Sequence, residues 1–194
     1  QLNSSPITTT PLTIAAWCKP TAGDLSSSAR VVAIGNSTGG AAVQQFAIRI
    51  NTTGSIRAYV ADATNANFAE TSTTLSAGTW GHTCAVFTSS TSRAAYLNGG
   101  GKGTDTVARA PAVSPDRICV GVNNFSTATT TWSGSIAEVG IWNVALDDAE
   151  VAALGSGIPP ILVRPQSLVA YLPIIRTAQD YKGNAFAITG SLTV

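Results

Sequence analysis

Short runs of β-branched and aromatic residues, each ended by Gly, Asn, Ser or Thr, recur along the whole chain. Runs of this length, bounded by turn residues, read as strands rather than helices. They occupy residues 11–19 (PLTIAAWCK), 30–35 (RVVAIG), 44–50 (QQFAIRI), 55–61 (SIRAYVA), 80–87 (WGHTCAVF), 93–97 (RAAYL), 117–122 (RICVGV) and 134–142 (GSIAEVGIW), with weaker runs at 168–172 and 185–189. Asn51-Thr52-Thr53-Gly54 joins two alternating runs as a hairpin. Asn98-Gly99-Gly100-Gly101 reads as another, because glycine enters positive φ without steric cost. The pattern predicts an all-β fold, a two-sheet antiparallel β-sandwich of the jelly-roll kind.

One helix is expected, at residues 147–154 (DDAEVAAL). Asp147 is its N-cap and Glu150, three residues on, completes a capping box. Gly155 is placed as its C-cap, and Leu146, Val151 and Leu154 would pack on a sheet. Residues 156–167, with Pro159-Pro160 and Arg164-Pro165, read as an extended connection to the C-terminal strands. No linker divides the chain, so residues 1–194 are expected to form one domain.

Charge then narrows the function. Only 11% of residues are charged and the net charge is +1, so no broad field gathers nucleic acid or an anionic membrane. Apolar runs are too short for a transmembrane helix, and the polar stretch opened by Gln1 is not expected to be a signal peptide. With 44% hydrophobic residues, a core is affordable and disorder is not expected. Cys18, Cys84 and Cys119 lie in apolar strand runs, where a free thiol behaves as a small buried hydrophobe.

Four segments, in order, resemble the concanavalin A-like laminin G/pentraxin domains: PLTIAAWCKP at 11–20, GTWGHTCAVF at 78–87, RAAYLNG at 93–99 and GSIAEVGIWNVALDDAEVAAL at 134–154. The tail SLVAYLPIIRTAQDYKGNAFAITGSLTV (167–194) is similar to the segment that usually opens such domains. Here it comes last, as in a circular permutation, an order that resembles a phage and environmental viral subgroup. The resemblance implies a laminin G-like jelly roll. It also implies a virion-surface protein, either a capsid decoration or a fibre and adhesion component. Its partners would be other virion proteins such as the major capsid protein, copies of itself, and a surface glycan. A secreted or cell-surface carbohydrate-binding lectin is the alternative, since one fold hosts many functions.

Site chemistry points away from catalysis. Retaining glycoside hydrolysis needs two carboxyl groups about 5 Å apart, yet Glu70 and Glu138 each lack a second carboxylate two residues away, and Glu150, which has Asp148 there, lies in the expected helix. Glu150 is absorbed by the capping box, and Glu138 is expected to meet an arginine or the backbone. One G-x-S-x-G run occurs, GNSTG at 35–39, but the run that follows it, 44–50, reads as a strand and not as the helix a nucleophile elbow needs; the single histidine, His82, is read as structural. The candidate calcium loop is Asp62, Asn65 and Asn67, with Asn123 and Asn124 as further oxygens; its one carboxylate is few for a hard cation, and no cofactor is expected. For a glycan, Trp132 follows a polar run and is the candidate exposed platform, flanked by Asn123 and Asn124. Trp17, Trp80 and Trp142 sit in apolar runs and are expected to pack.

Overall fold

The computed structural model describes residues 5–37, 44–122, 131–174 and 180–183. Eleven strands form two antiparallel sheets. In chain order they are β1 (Leu12–Lys19), β2 (Arg30–Gly35), β3 (Gln45–Ile50), β4 (Ser55–Ala61), β5 (Ala66–Thr74), β6 (Gly81–Ser89), β7 (Ser92–Leu97), β8 (Gly100–Asp105), β9 (Arg117–Val120), β10 (Ser135–Trp142) and β11 (Leu168–Leu172). One sheet runs β11-β10-β1-β6-β7-β8, the other β5-β4-β3-β2-β9. The all-β sandwich expected from the strand pattern is what the chain forms. The expected strand at 185–189 lies outside the described residues, as do Asn123 and Asn124.

Between the sheets lies the main core, where Ile14, Ile34, Phe46, Ile48, Ile56, Phe87, Ile118 and Ile141 are sealed from water. Phe46 of one sheet meets Phe87 of the other edge-on, with ring centroids 5.1 Å apart. A second cluster covers the outer side of the six-stranded sheet, because α2 (Asp148–Gly155) lays Val151 and Leu154 over Ala15, Cys84 and Trp142. Trp142 is fully buried there and satisfies its indole by donating to the Val163 carbonyl at 2.7 Å.

The capping box of α2 forms as the sequence reads: Glu150 N–H donates to Asp147 Oδ1 and Asp147 N–H to Glu150 Oε2, each at 2.9 Å. Its end differs by one residue, since Gly155 is the last helical residue and Ser156 the C-cap. Packing explains the glycine: a Cβ there would lie 2.4 Å from the Gly99 backbone nitrogen. The turn it touches is tighter than expected, with Asn98 (φ 53) and Gly99 (φ 73) alone joining β7 to β8. The connection after α2 is broken by a 3-10 turn at Pro160–Leu162.

Three elements were not anticipated. A short helix, α1 (Ala22–Ser27), starts at a Thr21/Asp24 capping box. Asp24, 1% exposed, also accepts from Ser133 N–H at 2.7 Å and Gly134 N–H at 3.0 Å, and so ties α1 to the start of β10. Strands β5 and β8 are polar edge strands, one in each sheet. They come so close that a Cβ on Gly103 would lie 1.7 Å from the Glu70 carbonyl oxygen.

Candidate functional site

Alternation along β2–β5 sends Ile34, Phe46, Ile48, Ile56 and Val60 into the core and leaves the intervening residues on the outer side. There Ala33, Ala47 and Cys119 make a floor of small side chains, packed by Tyr59 and Val122. Register sets the rest. Arg30 pairs with Arg49, Arg49 with Arg57, and the bulged β5 brings Glu70 opposite Arg57. Two positions along the same face, Ala47 lies opposite Tyr59 and Tyr59 opposite Phe68. Arg117 of β9, opposite Gly35, adds a further guanidinium to this side. Four of the chain's 11 basic residues thus belong to one sheet face.

Like charges directly opposite each other on a sheet repel, so the arginine row needs compensation. The Arg49 guanidinium lies 4.6 Å from the Tyr59 ring centroid and donates to the Ser28 carbonyl at 3.3 Å. Arg30 stands 5.8 Å from the same ring and donates from Nε to Gln45 Oε1 at 3.0 Å. Arg57 stacks 3.9 Å over Phe68 and donates to Glu70 Oε2 at 3.1 Å. Glu70 Oε1 accepts from Asn51 and Ser55. Stacking on a ring orders a guanidinium while leaving its in-plane N–H edge for planar acceptors.

Among the described residues, Glu70 is the one carboxylate that ion-pairs with this row, and Arg49 has no carboxylate within pairing distance. Arg30 is 9% exposed; burial, then the charge of Arg49, lowers its pKa to about 10. Burial also lowers the pKa of Arg49. Phe68 is 38% exposed, and Tyr59, Arg49 and Arg57 are half-buried.

The calcium candidates come together, but around an arginine. Asp62 Oδ1 accepts the Thr64 and Asn65 N–H groups at 2.8 Å each, and its other oxygen pairs with Arg109 Nη1. Those backbone bonds, with Arg109, hold the Asp62 carboxyl well below the usual carboxylate range. Asn67, in β5, turns its Oδ1 to Arg109 Nε at 3.3 Å. A guanidinium therefore holds one Asp62 oxygen and the Asn67 Oδ1, and the set works as a cross-link between the β4–β5 turn and the segment after β8. Among the described residues no three His, Cys, Asp or Glu side chains are gathered as a metal site.

Trp132 is not a bare platform. It is half-buried against the main core, with its indole nitrogen shut off from solvent. The exposed tryptophan is instead Trp80, at 42%, with Lys19 Nζ 5.8 Å from its ring. His82 is buried as expected, edge-on to Trp17. Among the described residues the partner of Glu138 is Tyr171, which donates its hydroxyl to it at 2.6 Å, where an arginine or the backbone was expected. The arginine row is only partly visible in the sequence: Arg49 in QQFAIRI and Arg57 in SIRAYVA alternate with core residues, whereas Arg30 shares the parity of Val32 and Ile34 and reaches the outer face through the register shift between Arg30 and Val32.

None of the curated proteins matches the chain. Among solved structures, the native heptameric SAP-like pentraxin of Limulus polyphemus superposes with a TM-score of 0.61 at 16% identity, covering 79% of this chain and 73% of that one. The CBM40 of Ruminococcus gnavus IT-sialidase, bound to α2,3-sialyllactose, gives 0.61 at 16% identity over 76% and 84%. Tailspike protein 2 of the Escherichia coli O157:H7 bacteriophage CAB120 gives 0.61 at 16% identity over 91% of this chain but only 25% of its own length. Likenesses at such identity establish the fold alone. The family model described as the concanavalin A-like lectin/glucanases superfamily (Laminin_G_3) matches residues 1–152, from the first residue into α2. With most of its length so matched, this chain belongs to the concanavalin A-like lectin/glucanase superfamily, as a laminin G-like jelly roll.

Proposed function

We propose that the protein is a non-enzymatic glycan-binding module of a virion surface, an adhesion or decoration component that holds surface polysaccharide through the outer face of its five-stranded sheet. The observation that carries the reading is that face: Arg49 stands opposite Arg57 and Tyr59 opposite Phe68, the two guanidinia pre-ordered by stacking on the two rings. Sugars offer hydroxyl rims to planar polar side chains and apolar ring faces to aromatic ones, and pre-ordering limits the entropy lost on binding. Catalysis is not part of the proposal, because, among the described residues, Glu70 is the one carboxylate that ion-pairs with the arginine row, and it is held by Asn51, Ser55 and Arg57. The sialyllactose-bound CBM40 and the phage tailspike are the neighbours that support binding and setting respectively.

The test is a glycan array carrying bacterial surface polysaccharides, read with and without calcium. Binding to at least one glycan is expected, reduced at least ten-fold by the paired substitutions Tyr59→Ala and Phe68→Ala in a protein that still melts cooperatively. An array without hits under either condition overturns the reading. The virion setting is tested separately: a chain that never co-sediments with particles from its own source belongs to the alternative, a secreted or cell-surface lectin.

A further inference from the structure

On the basis of that reading, we propose that the glycan is acidic: the Arg30–Arg49–Arg57 row recognises a carboxylate carried by a sugar ring. The chain spreads 11 basic and 10 acidic residues over its whole length, yet sets three guanidinia directly opposite one another on adjacent strands. The inward neighbours carry the core, and opposed like charges weaken a sheet. Glu70 pairs with the row at its end, beside Arg57. Arg49, in the middle, satisfies itself on a carbonyl oxygen and a ring face, both neutral partners.

An incoming carboxylate would meet the fork of N–H donors that Arg presents to planar anions, and would relieve the repulsion that the row carries in its absence. Four adjacent strands, β2 to β5, span about 14 Å at ordinary strand spacing. That width admits several sugar units across the face, with Tyr59 and Phe68 beside the arginines. Carboxylate is favoured over a fully ionised phosphodiester backbone because the face is narrow and the net charge is only +1. Extended polyanions are held by broad basic surfaces and steep counterion release.

The test uses the full chain against one carboxylate-bearing bacterial polysaccharide that binds on the array, the same polysaccharide with its carboxyl groups reduced to alcohols, neutral and sulfated glycans, and single-stranded DNA. Binding is expected to the carboxylate form, to fall at least ten-fold on carboxyl reduction and at least ten-fold in Arg49→Gln, with partial recovery in Arg49→Lys. It should weaken as salt rises. Thermal melting keeps the variants interpretable: Arg49→Gln and Arg49→Lys should melt alike if only binding is affected. Equal binding to neutral glycans, unchanged in Arg49→Gln, overturns the acidic assignment and leaves the glycan reading standing. Preferential binding to sulfated glycans or DNA overturns it too. No binding to any glycan removes both.

Discussion

Lowering the pH from 7.5 to 5.0 should destabilise the protein through His82 alone. The side chain is 2% exposed, flanked by the Trp17 ring at 5.6 Å, and burial lowers its pKa from 6.5 to about 4. Below pH 6.5 the unfolded chain binds a proton that the folded chain refuses until about pH 4. Stability is therefore fully present above the unfolded pKa and falls as the pH drops between these values. With those two constants the loss at pH 5.0 is about 2 kcal/mol. At a urea dependence of about 2 kcal/mol per M, the midpoint should fall by about 1 M. Urea unfolding followed by tryptophan fluorescence at the two pH values measures it, with His82→Gln as the control whose midpoint should scarcely move. An equal drop in wild type and His82→Gln would refute this.

Gly103→Ala should cost about 3 kcal/mol or prevent folding, since the added carbon meets the Glu70 carbonyl. Gly100→Ala, three residues away with nothing within 4 Å, should stay within about 0.5 kcal/mol, and thermal melts of the pair test the contrast. Asp24→Ala should cost about 3 kcal/mol by stranding the Thr21, Ser133 and Gly134 N–H groups, with Asp24→Asn recovering part of it in urea titration. Cys18, Cys84 and Cys119 are buried, and burial raises the Cys18 thiol to about 12 and pushes Cys84 up as well. A thiol reagent at pH 8 should label none of the three in the native protein and all three in denaturant.

Strands whose residues alternate or run continuously apolar were legible, and 30–35 and 55–61 match β2 and β4 residue for residue. Strands β5 and β8 were not, because their stability comes from partners. ANFAETSTT owes its conformation to pairing with β4, and GGKGTD keeps a glycine at 103 because the Glu70 backbone occupies the space of a side chain there. Helix α1 was missed because Asp24 stands where a capping box more often has Glu or Gln. The acidic loop at Asp62 was legible as a cluster of oxygens. Its owner was not, since Arg109 lies 47 residues on. The arginine row was hidden in the same way: Arg30, Arg49 and Arg57 become neighbours only once the register of β2, β3 and β4 is known. Trp132 and Trp80 exchange their expected roles because local polarity does not reveal which ring the core receives.

The central claim is that the outer face of β2–β5 holds the glycan. Its most direct test is an NMR titration of the labelled protein with the glycan that binds best on the array. Shift changes should concentrate at Arg49, Arg57, Tyr59 and Phe68, with the Arg49 side-chain N–H among the largest. Changes confined to Trp132, to the Asp62 turn or to the face beneath α2 would contradict it.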